Sequence, residues 1–358
     1  MRNEFSPKRH RQLFQLRRSK IKAIAIAFGL VGLCIVVYVL ISVAVGKKFP
    51  SAIISNNDLQ KNAFLKFFYK TSDVSGKEVV ILAEKVVEET KDNFIFERVT
   101  SNFMLPNEET GTITSNRGKV IRSEKSICEF IDNVVMTTNS GLLLRTERAI
   151  FDSEKKVISG NSRVNITKDE TKLSANSYSF DTEKNVLTLI ENAKAHNSDR
   201  DINANEIIIA FDNNCDDSVK SLTANGNATL LSNNYDLSAE NSLKYEAKKI
   251  EAEKNADLLY KKDTKNFRIT SAKMNAFLND KSEITEITAD GNVRIKTKDS
   301  VVKADHGVYK DNKMTVSGNV VISKERGDVF GEIAELDVET ENISVKKSSG
   351  IVSENKGK

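Results

Sequence analysis

A motif of about 30 residues recurs nine times between positions 83 and 337 of this 358-residue chain. Each copy starts with a small residue and a polar one, after which apolar and polar residues alternate. The small residues are Ala83, Ser115, Thr146, Ala175, Ala204, Ala239, Ala272, Ala304 and Ala334, and they are 29 to 35 residues apart. Self-similarity at a period of roughly 20–50 residues is typical of repeat architectures. Such an architecture excludes most classes of enzyme.

The second half of each repeat predicts antiparallel strands. Tight-turn dipeptides precede alternating strands, because Gly-Asn suits hairpin positions with φ > 0. They are Gly160-Asn161, Gly226-Asn227, Gly291-Asn292 and Gly318-Asn319, with Asp132-Asn133 as a relative that lacks glycine. Alternation with a period of two is typical of half-buried strands, and meanders of such strands close as a sandwich, jelly roll or barrel. The sequence therefore predicts an all-β fold.

One uncharged apolar run, AIAIAFGLVGLCIVVYVLISVAV at 23–45, precedes the repeats. Its 23 residues are long enough for a transmembrane helix, since about 20 residues cross a bilayer. Eight basic residues and one acidic residue come before it, so the positive-inside rule predicts a cytoplasmic N-terminus and an exported remainder. A signal peptide cleaved near Ala44 is the alternative, but the run exceeds the roughly 7–15 residues of a signal h-region. We therefore expect an uncleaved anchor.

Charge and motif content exclude several functions. Beyond the basic arm the chain has 46 basic and 49 acidic residues, so it offers no basic surface for nucleic acid. None of the three histidines, His10, His196 and His306, has a second ligand at metal-binding spacing, and His306 is interpreted as a surface strand residue. The run 212–217 lacks the central glycine and closing glutamate of a calcium loop. No catalytic residue, metal site or cofactor is predicted.

Two local features stay open in the sequence. Residues 58–70, DLQKNAFLKFFYK, fit a short amphipathic helix or a loop followed by a first strand equally well. Cys128 and Cys215 could form a disulfide in an oxidising compartment or remain two unpaired thiols.

The class of function that remains is the binding of an apolar ligand. A β-sandwich whose sheets do not close fully has an apolar slot, in which acyl chains bury about 0.8 kcal/mol per CH₂ group. The alternation gives the candidate slot residues, although a register slip of one residue would turn all of them outward. They are Val134, Met136, Leu142, Leu144, Val164, Ile166, Ile207, Ile209, Leu230, Val293, Ile295, Val320 and Ile322. The alternative is that these side chains simply fill a core.

The regularly spaced motifs that follow the single apolar run resemble those of a known family. The span, Ala83-Glu84-Lys85-Val86 and the segment 112–160 resemble the inner-membrane lipopolysaccharide-export protein LptC. The segment TADGNVRIKTKDSVVKADHGVYKDNKMTVSGNVVISK at 288–324 resembles the OstA-like repeats of the periplasmic bridge protein LptA. The resemblance implies an elongated antiparallel β-jellyroll behind a single N-terminal transmembrane helix. The expected order is a cytoplasmic arm at 1–22, the span at 23–45, a linker at 46–74, an LptC-like jellyroll at 75–212, an LptA-like continuation at 213–347 and a polar tail at 348–358.

The resemblance also implies a function and partners. Such a protein binds the acyl chains of lipid A and passes lipopolysaccharide from an inner-membrane ABC transporter toward the outer membrane. Edge strands near 77–87 and 333–346 are expected to pair with the transporter and with an LptA-like or LptD-like jellyroll. The expected location is the inner membrane, with the C-terminal domain in the periplasm. The alternative is a membrane-anchored structural or adhesive β-repeat protein that binds no lipid.

Overall fold

The computed structural model describes residues 63–348 except 73–77, 91–92, 105–109, 122–126, 140, 153, 182, 212–218, 263–264, 326, 339 and 341. All regular structure in these residues is β-strand, which confirms the all-β class. None of the residues described forms a helix that is long and apolar enough to cross a membrane. The predicted arm and span, the linker up to residue 62 and the tail beyond Ser348 lie outside the described residues.

The described chain contains 23 strands, numbered here in chain order. The first twelve are β1 (Ala63–Ser72), β2 (Glu78–Thr90), β3 (Asn93–Met104), β4 (Thr110–Ile121), β5 (Ile127–Thr138), β6 (Leu143–Asp152), β7 (Val157–Gly160), β8 (Val164–Lys168), β9 (Thr171–Ala175), β10 (Ser177–Asp181), β11 (Val186–Asn197) and β12 (Arg200–Phe211). The others are β13 (Val219–Asn225), β14 (Ala228–Ser232), β15 (Tyr235–Ala239), β16 (Ser242–Glu246), β17 (Lys249–Lys262), β18 (Lys265–Leu278), β19 (Ile284–Lys296), β20 (Val301–Lys310), β21 (Lys313–Lys324), β22 (Gly327–Asp337) and β23 (Ile343–Ser348).

The strands divide into two compact units. Unit 1 takes the described residues up to Ala195 and those within 208–220, and unit 2 takes 196–207 and the described residues from Ser221 onward. In unit 1, β1 to β6 pair in sequence as an antiparallel meander. β6 then pairs with both β7 and β8, which pair in turn with β10 and β9.

Unit 2 has the same two parts in the reverse order along the chain. β14 pairs with β12 and β15, while β13 pairs with β16. β15 and β16 both pair with β17, and β17 to β23 continue as an antiparallel meander. Pairs of short strands, such as β15 and β16, thus occupy the place that one long strand takes elsewhere.

Long strands bend at a corner where the backbone enters the left-handed region. In β5, Asp132 and Asn133 have φ values of 61° and 52°. The register with β6 jumps there from Ile131↔Arg148 to Val134↔Thr146, so that two residues of β5 face one residue of β6. This two-against-one arrangement is a β-bulge, which bends a strand sharply. Each such strand consequently contributes one segment to each of two layers.

The Gly-Asn dipeptides occupy these corners, so their prediction as hairpin turns is wrong in the long strands. Gly291-Asn292 lies within β19 and Gly318-Asn319 within β21, each at a jump in register. A two-residue hairpin and this bulge both need consecutive residues with φ > 0, and the sequence signal is therefore the same. A hairpin turn does form at Asp311-Asn312, where both residues have positive φ and Lys310 pairs directly with Lys313.

The polar second residue of the repeat motif stabilises the neighbouring corner. Glu240 accepts hydrogen bonds from Lys254 Nζ at 2.7 Å and Asn255 Nδ2 at 2.6 Å, and these bonds hold the pKa of Glu240 below its usual value. Asp305 likewise accepts one from Asn319 Nδ2 at 2.7 Å. The recurring small-polar pair in the sequence is thus a signature of the corner.

The corners create two layers, which we call arm A and arm B, in each unit. In unit 1, residues 127–131 and the segments paired with them form arm A, and residues 134–138 with their partners form arm B. In unit 2, arm A contains residues 249–253 and arm B contains residues 256–262.

The two arms of each unit pack face to face. In unit 1 the rings of Phe67 in arm B and Phe96 in arm A lie 6.1 Å apart. In unit 2 the ring of Tyr309 in arm A lies 5.6 Å from Tyr260 and 5.3 Å from Phe267, which are both in arm B. The core of each unit therefore lies between its arms.

The N-terminal edge differs from the prediction. Residues 63–72, which overlap the segment 58–70 with its two open interpretations, form strand β1, and β1 pairs with β2 along its length. The predicted edge at 77–87 consequently lies inside the sheet. Among the described strands, β1 pairs only with β2 and β23 only with β22. The prediction failed because the segment 58–70 could not be recognised as a strand from its own sequence.

Candidate functional site: the apolar interior between the arms

The candidate slot residues all point into the interior of their unit. Each is between 0% and 7% exposed, from Val134, Met136, Val164 and Ile207 at 0% to Leu230 at 7%. The remaining eight, Leu142, Leu144, Ile166, Ile209, Val293, Ile295, Val320 and Ile322, are 1% to 4% exposed. The alternation thus identified the inward face of the strands.

The strand register arranges these residues in rows. In unit 1, Met136 pairs with Leu144 and Leu144 with Ile166, so one aliphatic row crosses three strands of arm B. In unit 2, Ile295 pairs with Val302 and Val302 with Ile322. Neighbouring positions along a row consequently present similar apolar surfaces. Such a surface has no side chain that would fix an apolar ligand at one position.

The interior is closely packed near the corners. A Cβ atom on Gly307 of arm A would lie 3.2 Å from Val293 Cγ1 of arm B, and one on Gly118 would lie 3.1 Å from Val99 Cγ2. Both distances are shorter than ordinary van der Waals contact between carbon atoms. Glycine at these positions therefore lets the arms of each unit approach closely.

The slot residues predicted from the sequence do not include most of the interior side chains of arm A. Of the candidates, Ile207 and Ile209 alone lie beyond the part of β12, residues 200–203, that pairs with β14, and the others lie on the arm B side. Arm A of unit 1 contributes large buried side chains, among them Phe130, Phe151 and Phe180, which are 0% to 4% exposed. The recurrence of an aromatic residue a few positions after the small-polar motif could have identified these side chains.

Polar groups that face the interior near the corners are satisfied locally. The hydroxyl of Ser115 donates to the carbonyl of Arg117 at 2.9 Å, and that of Ser271 donates to Lys273 at 2.9 Å. The buried Tyr178 hydroxyl donates to the carbonyl of Arg148 at 3.3 Å, and burial raises its pKa. Because each of these hydroxyl groups is bonded to the backbone, the interior remains largely apolar.

Part of the chain is similar in sequence to a known protein family. Residues 30–198 match the family described as lipopolysaccharide-assembly, LptC-related. The match covers 169 of the 358 residues, from 30 to 198, and we call this stretch the LptC-related segment. The relation agrees with a non-catalytic role in lipopolysaccharide transport. No curated protein matches the chain.

The LptC-related segment ends at residue 198, just after the last residue of β11, so its described part runs from β1 to the end of β11. It includes the first six candidates, Val134, Met136, Leu142, Leu144, Val164 and Ile166. The other seven lie beyond it, in a part of the chain that the family match does not cover.

The histidines of the described strands form no metal site. His306 is exposed on β20 and its Nδ1 lies 2.9 Å from Asp290 Oδ1, which agrees with its interpretation as a surface residue. His196 Nδ1 similarly lies 2.6 Å from Asp201 Oδ1. No group of three potential metal ligands occurs among the described residues. His10 and the run 212–217 lie outside them.

Cys128 is a free thiol in the interior of the LptC-related segment, 1% exposed, and Cys215 lies outside the described residues. Burial strongly raises the pKa of the Cys128 thiol, and the nearby Glu129 charge adds to the effect. Because a maleimide reacts with the thiolate, we expect Cys128 in the native chain to react at least about tenfold more slowly than in urea. Peptide mass spectrometry after timed labelling measures this. A cysteine at the exposed Thr137 is the control, and equal native labelling of both positions would contradict the buried environment.

Proposed function

We propose that this protein is a non-catalytic component of lipopolysaccharide transport. It binds the acyl chains of lipid A between arms A and B and passes lipopolysaccharide from an inner-membrane ABC transporter toward the outer membrane. The observation that carries the proposal is the continuous aliphatic row of Met136, Leu144 and Ile166 within the LptC-related segment.

The energetics of the rows suit a transport protein. Each buried CH₂ group of an acyl chain contributes about 0.8 kcal/mol, and a chain that moves along a row exchanges one aliphatic contact for a similar one. Movement therefore needs no step in which the chain is fully exposed to water. Since the row side chains are 0–1% exposed, the arms must part to admit a ligand.

The proposed location and partners follow from the family relation and the sequence together. The apolar run at 23–45 would anchor the chain in the inner membrane, with the arm at 1–22 in the cytoplasm and the β-units in the periplasm. β1 and β23 are the strands whose outer edges would pair with the jellyroll of the transporter and with that of an LptA-like or LptD-like partner.

Burial of the row side chains equally supports a second candidate, a membrane-anchored structural β-repeat protein with a permanently filled core. A photo-crosslinking amino acid at Met136 in living cells distinguishes the two functions. We expect a lipopolysaccharide adduct at Met136 and none at Thr137, the neighbouring exposed residue, with both variants expressed and resistant to protease. Absence of an adduct at Met136 in a folded protein would favour the filled core.

A further inference from the structure

One row of arm B in unit 2, a step farther from the corners than the row of Leu237, Leu258 and Ile269, differs from that aliphatic row. It contains aromatic and polar side chains that the register places on neighbouring strands. Arg200 pairs with Ser232 of the β14–β15 hairpin, Tyr235 pairs with Tyr260, and Tyr260 pairs with Phe267. One step closer to the corner, the row is again aliphatic, with Leu237 opposite Leu258 and Leu258 opposite Ile269.

Arg200 and Tyr235 each bury a hydrogen-bond donor that has no acceptor among the described residues. Nε of Arg200 and the hydroxyl of Tyr235 are both buried and unpartnered. Tyr235 is 0% exposed, whereas Arg200 is half-buried and reaches solvent with part of its side chain. A buried donor without an acceptor is rare in folded proteins and points to a missing water, ion or ligand.

Other side chains of the same types have partners. The Tyr178 hydroxyl bonds to a backbone carbonyl, and the Tyr309 hydroxyl donates to Asn312 Oδ1 at 3.3 Å. Arg117, Arg148 and Arg268 each bind a carboxylate. Arg200 is thus a guanidinium, on the inner face of a strand, to which no carboxylate of the described residues is bound.

The two donors belong to one environment. Arg200 pairs with Ser232, and Ser232 and Tyr235 flank the turn of the β14–β15 hairpin. Burial raises the pKa of Tyr235, the positive charge of Arg200 opposes that rise, and the negative charge of Asp199 adds to it. The phenol consequently stays protonated at physiological pH and can donate a hydrogen bond. Asp199, the charged neighbour of Arg200 in sequence, is exposed and leaves Nε of Arg200 unpartnered.

We propose that Arg200 and Tyr235 form an anion subsite, which binds a phosphate oxygen of an amphipathic ligand whose apolar chain lies along the row of Leu237, Leu258 and Ile269. This inference rests on the proposed function, because it assigns the headgroup of a ligand held between the arms. A guanidinium and a phenol suit a phosphate, since charge-assisted hydrogen bonds from arginine to phosphate are among the strongest in proteins.

The test uses the full chain in peptidiscs, which contain no phosphate, and three probes: dodecyl phosphate, dodecanol and inorganic phosphate. Calorimetric titration compares the wild type with R200M, Y235F and the control R294M, which removes an arginine from the outer face of β19. We expect dodecyl phosphate to bind the wild type about tenfold more tightly than dodecanol, the typical contribution of a hydrogen bond to a charged group. R200M should abolish that difference, Y235F should reduce it about threefold, and R294M should preserve it.

The outcomes separate this inference from the proposed function. If both alkyl probes bind the wild type equally, or R200M keeps the preference for dodecyl phosphate, the subsite is overturned while an apolar interior remains. If neither alkyl probe binds, the proposed function fails and the subsite with it. If inorganic phosphate binds as tightly as dodecyl phosphate and R200M abolishes both, the ligand is a free anion and the amphipathic assignment is overturned.

Discussion

The substitution Gly160→Ala should destabilise unit 1 by about 3 kcal/mol, the upper end of the usual cost of overpacking. A Cβ atom at this position would lie 2.4 Å from the carbonyl oxygen of Arg148 and 2.4 Å from Cε1 of Tyr178. The first contact is with backbone, and Tyr178 is itself 2% exposed, so neither group can move aside without disturbing its neighbours. Urea unfolding of the full chain, followed by circular dichroism, measures the loss.

Gly118→Ala is the matched control for this substitution. It places the same methyl group on the inner face of arm A, but the nearest atom is Val99 Cγ2 at 3.1 Å, at the end of a side chain. We expect a cost below about 1 kcal/mol, because a side chain can yield by a few tenths of an ångström. Equal destabilisation by both variants would contradict the close backbone approach at Gly160.

The substitution Arg148→Met should cost about 2 kcal/mol, because it leaves a buried carboxylate without its cation. Arg148 Nε donates to Glu129, a residue that is 9% exposed although it lies on the outer face of β5. The methionine keeps the apolar stem of the side chain, and the backbone carbonyl that binds Tyr178 is unchanged. The same unfolding measurement applies.

Two further variants identify the cause of that cost. In E129Q/R148M the buried charge is absent, and we expect the double variant to recover about half of the lost stability. Arg117→Met breaks the ion pair between Arg117 and Asp132, whose side chains are 57% and 44% exposed. We expect this variant to change the free energy of unfolding by less than about 0.5 kcal/mol. If the double variant is no more stable than R148M, lost packing rather than an unpaired charge explains the effect.

The inward face of the sheet could be predicted from the sequence because strands have a side-chain period of two. Residues such as Met136 and Ile295 alternate with polar neighbours, and the structure buries them to 0% and 1% exposure. This inference needs only the local pattern. It does not depend on which strands are neighbours.

The corners and the edges could not be predicted in the same way. Asn292 and Asn312 both follow a residue with positive φ, yet the first lies within a continuous strand and the second closes a hairpin. The difference lies in the register of the neighbouring strand, which the dipeptide does not encode. The edge depended likewise on whether 58–70 forms a strand, and pairing with β2 over residues 63–72 decides that.

Photo-crosslinking at Val293 tests most directly whether the β-repeat beyond the LptC-related segment also carries lipid. Val293 is 1% exposed and faces the interior of unit 2, while Arg294 next to it is exposed on the opposite face of β19. With the crosslinking amino acid at each position in living cells, we predict a lipopolysaccharide adduct at Val293 and none at Arg294. Adducts at neither position, in a protein that is expressed and folded, would contradict lipid binding in unit 2 and indicate a packed β-scaffold there.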